Sequence, residues 1–254
     1  TVDTTVPAVA VSTDKAAGSY TVGEEINITL TFTESVTLAG ANGLNVTLNT
    51  GDIINITAAE LNGMSTVTKE YTVGASDTTG ALTVSGIALG TDASLKDDAG
   101  NTANLTATAN ITPAIVIDTT APTAVSITSS ADDTSDTTPT ITMTAEAGST
   151  VKVFANGVEL GTATEGSGGS AGTFTFTSSA LSDGNYSIIA TSTDTAGNVT
   201  SSTAQELVID TVIPGVPTIT SASTGITATP TITGTAEVGS SVSVVFAGAT
   251  YSTT

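Results

Sequence analysis

The chain has 254 residues, with 24 Asp and Glu against four Lys, no Arg, His or Cys, and a formal net charge of −20. These counts exclude Ser-His-Asp and Cys-His nucleophile systems, Cys/His zinc sites and a disulfide framework. So few cations also exclude nucleic acid and anionic membrane surfaces as partners, because phosphate contacts need Lys and Arg. Charged residues make up 11 %, under half the usual share of about 25 %, so the acidity reflects missing cations rather than acidic tails. Thr fills 56 positions; it is β-branched, favours strands and covers a solvated sheet face without charge. Aromatics are 4 %, so Val, Ile, Leu and Ala must supply the cores, with Phe32, Phe154, Phe174 and Phe246 expected at core positions. No run approaches the roughly 18 apolar residues of a membrane span. The sequence starts at Thr1 inside a motif that recurs, so it reads as a piece of something longer.

In chain order, Val2-Asp3-Thr4-Thr5-Val6-Pro7 opens the sequence and returns as Ile117-Asp118-Thr119-Thr120-Ala121-Pro122 and Ile209-Asp210-Thr211-Val212-Ile213-Pro214. Ile26, Ile28, Leu30 and Phe32 alternate with polar residues, which predicts a half-buried strand. Asp97-Asp98-Ala99-Gly100-Asn101 returns as Asp194-Thr195-Ala196-Gly197-Asn198, each shortly before the next linker motif. The run from Thr138 to Ser149 matches that from Thr229 to Ser240. Between these, Val151 and Val153 alternate with Lys152 and Phe154, Asn156-Gly157 predicts a two-residue hairpin turn, and Phe174 and Phe176 sit in a Thr ladder. Leu181 to Tyr186 predicts a corner whose Tyr hydroxyl bonds back to the backbone. Short period-two runs with turns every 8–12 residues, and no amphipathic helix, predict an all-β chain of antiparallel sandwiches. The repeats divide it into 1–116, 117–208 and an incomplete 209–254.

These motifs together resemble bacterial Ig-like tandem repeats, of the kind forming the extender regions of giant biofilm and host-attachment adhesins exported by type I secretion (RTX-type). The likeness is good over residues 117–254. The first repeat resembles a sister class, with Phe32-Thr33-Glu34-Ser35 where the second has Ala145-Glu146-Ala147-Gly148. The resemblance implies Ig-like sandwiches of about seven strands each, joined end to end as an elongated rod. It also implies an extracellular, non-catalytic chain on the bacterial surface, carrying a distal ligand-binding region whose ligand this segment does not touch. Its partners would be calcium ions and neighbouring repeats of the same chain.

On a seven-stranded sandwich, Asp118, the Glu146 turn and the Asp194 turn fall at one end, although 28 and 48 residues separate them in sequence. Three carboxylates there repel one another, and Ca²⁺, which takes six to eight oxygen ligands, relieves that cost. The pattern recurs as Asp3, Glu34 and Asp97 or Asp98 in the first repeat and as Asp210 and Glu237 in the third. The resemblance likewise places calcium at junctions between units. Asp14, and Asp132, Asp133 or Asp136, are candidates to complete the sites from the preceding repeat. Asp52, Glu60, Asp77 and Asp92 lack such recurrence and read as solvated loop charges. The alternative function is a subunit of an extracellular filament or surface layer, its incomplete last repeat closed by strand exchange.

Overall fold

The computed structural model describes residues 2–106, 111–129, 134–221 and 231–253. Within them the chain is all-β, apart from one 3₁₀ turn at Gly168–Ser170. In the first repeat, Val9–Thr13, Glu25–Ala39 and Asn62–Thr72 form an antiparallel sheet to which Ser94–Lys96 adds. A second sheet orders Ile53–Ile56, Leu44–Leu48 and Val84–Leu89. Side chains alternate inward as the period-two pattern requires: Ile26, Ile28, Leu30 and Phe32 are all 3 % exposed or less. In the second repeat one sheet runs Ser126–Ile127, Thr140–Thr144, Thr173–Thr177, Thr164–Glu165. The other runs Val158–Thr162, Thr150–Ala155, Gly184–Thr193, Val199–Ser201, with Gln205–Ile209 also on Gly184–Thr193. In the third, Thr218–Ile219 pairs Gly234–Thr235 and Val242–Phe246 pairs Ala249–Thr253.

Nine strands lie between Val9 and Ile117, and nine between Ser126 and Ile209. These exceed the expected seven partly because the leading strand of the first repeat is split. After Val9–Thr13 the chain crosses over, and Gly18–Tyr20 pairs in parallel with the closing strand Ile115–Ile117. The second repeat repeats the device, with a parallel bridge from Thr134 to Ile209.

Two separate hydrophobic clusters form, one from Val11 to Ile117 and one from Val125 to Ile209. Ile117 and Ile209 are each 1 % exposed, so each linker starts inside the core of the repeat it leaves. Of the prolines that end the three linker motifs, Pro7 and Pro122 are buried and Pro214 is exposed. Asn156 and Gly157 both have positive φ (50° and 80°) between paired Ala155 and Val158, the backbone a tight two-residue hairpin requires. Tyr186 Oη donates to Ser182 O at 2.9 Å, closing the predicted corner. Tyr20 makes the same bond four residues back, to Ala16 O at 2.8 Å.

Three sequence expectations are corrected. Phe154 is only half-buried, because Val151, Val153 and Ala155 take the inward face of its strand. Phe246 is 46 % exposed. Asp77 is not a solvated loop charge: it is 8 % exposed, and its Oδ2 accepts from Tyr71 Oη (2.6 Å) and the Gly74 N–H (2.7 Å).

Separate cores predict separable unfolding. Phe174 is 1 % exposed in the second cluster, and Phe174→Ala should cost about 3–5 kcal/mol there. Calorimetry should show one transition falling while the transition of the first repeat stays in place.

Candidate metal centre at the linker pole

Each repeat is sealed at its N-terminal pole by the linker motif, and each linker Asp starts the seal. Its Oδ1 accepts the N–H two residues on: Asp3 from Thr5 (2.9 Å), Asp118 from Thr120 (3.0 Å) and Asp210 from Val212 (2.9 Å). Such local bonds are what Asp favours in turns. The last hairpin turn of the repeat then folds over the linker. Asn198 Nδ2 donates to Asp118 O and to Asp194 Oδ2, both at 2.9 Å. Asn101 Nδ2 does the same to Asp3 O (3.3 Å) and Asp97 Oδ2 (2.7 Å). Gly100 and Gly197, at φ 93° and 97°, supply the left-handed residue this turn needs.

The third acid takes two different roles. Glu146 Oε2 accepts the Thr123 N–H at 3.3 Å, and Glu237 Oε2 accepts the Gly215 N–H at 2.8 Å. These donors stand five residues after the linker Asp. The corresponding Ala8 N–H in the first repeat goes instead to Thr33 Oγ1 at 3.0 Å, so Glu34 is released from this task. Glu34 also does not sit in a turn. In the second repeat the strand ends at Thr144 and Gly148, at φ 81°, turns the chain after Glu146, whereas Ser35 and Val36 follow Glu34 and the chain runs on through a bulge within Glu25–Ala39.

Glu34 therefore meets acids rather than donors. Asp3, Glu34 and Asp97 each place a carboxylate oxygen within 4.8 Å of the others. Glu34 Oε1 is closed to solvent and has no hydrogen-bond partner among the described residues. Burial first, then the charges of Asp3 and Asp97, hold the Glu34 carboxyl above its ordinary value. Asp97 and Asp194 behave oppositely. Burial pushes both upward, but the side chain and N–H of Asn101 or Asn198, with further turn N–H groups, outweigh it and hold both below the ordinary carboxylate value.

The other sequence candidates are placed as follows. Asp98 is exposed and stands outside the group that Asp97 joins. Asp118, Glu146 and Asp194 share one pole, yet among the described residues only Asp3, Glu34 and Asp97 bring three carboxylate oxygens within 4.8 Å of one another. Asp14 accepts from Asn27 Nδ2 (2.8 Å), and Asp136 Oδ1 caps the Thr138 N–H (2.8 Å). Asp132 and Asp133 lie outside the described residues. Lys152, the cation nearest in sequence to Glu146, pairs with Glu159 at 3.1 Å. Lys69 pairs with Glu60 at 2.7 Å, and that bond leads the causes lowering Glu60 to about 2.

The middle of the chain has a family match. Residues 112–211 match the bacterial Ig-like domain. That stretch is an Ig-like repeat, and it runs from before the first internal linker to the start of the second. Among solved structures, the chain is similar to fibronectin(III)-like modules of Clostridium thermocellum CbhA (14 % identity, 79 % of this chain and 94 % of that one, TM-score 0.36). It is also similar to the D1–D4 ectodomain fragment of ICAM-5 (12 %, 96 % and 74 %, TM-score 0.37). A third similarity is to SGBP-B of the Bacteroides ovatus mixed-linkage glucan utilization locus, solved with a mixed-linkage heptasaccharide (16 %, 84 % and 49 %, TM-score 0.26). At such low scores none of these bears on what the chain does. No curated protein matches it.

The opposed pKa directions give opposed pH dependences. Asp97 and Asp194, lowered in the fold, stabilise it above the ordinary 3.8, and that contribution is lost as pH falls through and below this value. Asn101→Ala and Asn198→Ala should move acid unfolding to higher pH. Glu34, raised in the fold, destabilises it increasingly as pH climbs from 4.5 through the folded value. In metal-free protein Glu34→Gln should flatten that decline. Thermal melts followed by circular dichroism between pH 3 and 8 read both effects.

Proposed function

We propose that this chain is a non-catalytic structural extender segment of a bacterial cell-surface adhesin. Ca²⁺ at the linker poles stiffens it, and it projects a distal ligand-binding region away from the cell. The observation that carries the metal is Glu34: a carboxylate oxygen shut away from water, without a donor, in a group with Asp3 and Asp97. The donor set suits calcium, a hard cation bound by carboxylate and carbonyl oxygens at about 2.3–2.6 Å. Two oxygens bound to one such ion lie at most about 5 Å apart, and the oxygens of this group all fall within 4.8 Å of one another. Asp3, Glu34 and Asp97 would hold the ion, tying the linker to the bulged strand and the last hairpin turn. Asp118 with Glu146 and Asp194, and Asp210 with Glu237, offer the same chemistry. There calcium would have to displace the Thr123 and Gly215 N–H groups, so the first repeat is the stronger site.

The extender role is supported by the repetition itself and by the Ig-like match over residues 112–211. The absence of His, Cys and Arg from the sequence agrees with a non-catalytic part. No helix among the described residues is long and apolar enough to cross a membrane. An extracellular setting, where calcium is abundant, would keep sites of affinity about 10⁻⁴–10⁻³ M filled.

Calorimetry with free calcium at about 5 mM, against chelator, tests the reading. A site of Kd about 10⁻⁴ M adds about 2 kcal/mol, which should raise the transition of the first repeat by about 10 °C. Glu34→Gln should remove most of that rise. Identical midpoints in both buffers, with no calcium retained by the protein, would refute the metal.

A further inference from the structure

Asn101 and Asn198 close equivalent turns, and their amide nitrogens make equivalent bonds, but their amide oxygens differ. Asn198 Oδ1 accepts the hydroxyl of Thr21, 177 positions earlier and in the other repeat. Asn198 is 9 % exposed, whereas Asn101 is only half-buried. Turn, bonds and residue type are the same, so the extra burial of Asn198 comes from the repeat in front of it. Gly197 also lies beside the other repeat: a Cβ built on it would stand 3.9 Å from the Thr21 methyl, at van der Waals contact.

The linker between these repeats is pinned along its length. Asp118 N–H donates to Tyr20 O at 3.0 Å, next to Thr21, while Asp118 O accepts from Asn198. One peptide link on from the core residue Ile117, the first repeat thus holds the amide hydrogen and the second holds the carbonyl. Thr119 Oγ1 donates to Asp77 O at 2.9 Å, back on the first repeat. Thr120 N–H bonds Asp118, and Pro122 is already buried. Asp194 orients the Asn198 side chain through Oδ2, and its Oδ1 gathers the N–H groups of Ala196, Gly197 and Asn198 at 2.8–2.9 Å.

We infer that Thr21 and Asn198 form a direct lock between the first and second repeats, fixing their relative orientation without any bound ion. The lock uses only protein atoms and stands apart from the calcium reading of the first pole. Small polar partners suit it. A hydroxyl on a short β-branched side chain has few rotamers to lose, and the carboxamide supplies donor and acceptor on opposite atoms, so one side chain spans linker and neighbour.

Residual dipolar couplings on the 254-residue chain in excess chelator test this, because a rigid pair of repeats reports a single alignment tensor. Wild type should give one tensor for both repeats in chelator, and Thr21→Ser should keep it. Thr21→Val and Thr21→Ala, which lose the hydroxyl, should give tensors whose magnitudes differ about twofold between repeats, with chemical shifts away from the seam unchanged. Independent tensors for wild type in chelator would overturn the lock, as would a shared tensor in Thr21→Val. If wild type shares a tensor only with calcium present, the joint belongs to the metal and not to Thr21 and Asn198. Loss of the calcium-dependent melting shift alone would leave the lock standing.

Discussion

The structure turns on one hydrogen bond made twice: an Asn carboxamide reaching from the last hairpin turn to the carbonyl of the linker Asp. Asn101 makes it to Asp3 and Asn198 to Asp118. At Asp118 it joins the bonds that the first repeat makes to the Asp118 N–H and the Thr119 hydroxyl, and lays the residues after Ile117 across the pole of the second sandwich. The pairing of linker Asp and turn Asp at that pole is a consequence. The same Asn nitrogen holds the turn carboxylate, and the linker brings its own Asp alongside.

From this shared frame the two complete repeats diverge by one exchanged donor. In the second repeat Glu146 is used up in capping a backbone N–H. In the first, Thr33 takes that N–H and Glu34 is left facing its neighbours' charge without a donor. A side chain that caps a backbone N–H at one pole is left without a donor at the other. Burying an unpaired carboxylate is costly, and a proton or a bound cation would relieve that cost.

The repeats, the strand periodicity, the Asn-Gly hairpin and the Tyr186 corner were legible in the sequence because each is a local signal of turn chemistry or alternating burial. So was the meeting of linker, Glu and hairpin turn at one pole, which follows from strand count. What stayed hidden depended on donors rather than acids. Asn101 and Asn198 lie inside motifs that are visible by eye, yet their bonds to the linker carbonyl depend on tertiary placement. Nothing local separates Asp97 from Asp98, or marks Thr33 as the residue that frees Glu34. Asp77 looked like a loop charge because its partner Tyr71 sits in a strand that gives no sign of an inward hydroxyl. Thr21 is one of 56 threonines, and no sequence rule picks it out as the one that touches the next repeat.

A crystal structure grown with calcium, with anomalous scattering to identify the ion, examines the first pole most directly. The account predicts a calcium coordinated at about 2.3–2.6 Å by carboxylate oxygens of Asp3, Glu34 and Asp97, with Glu34 Oε1 no longer without a partner. Carboxylates turned apart, with no anomalous peak between them and Glu34 bonded to a backbone N–H as Glu146 is, would contradict it.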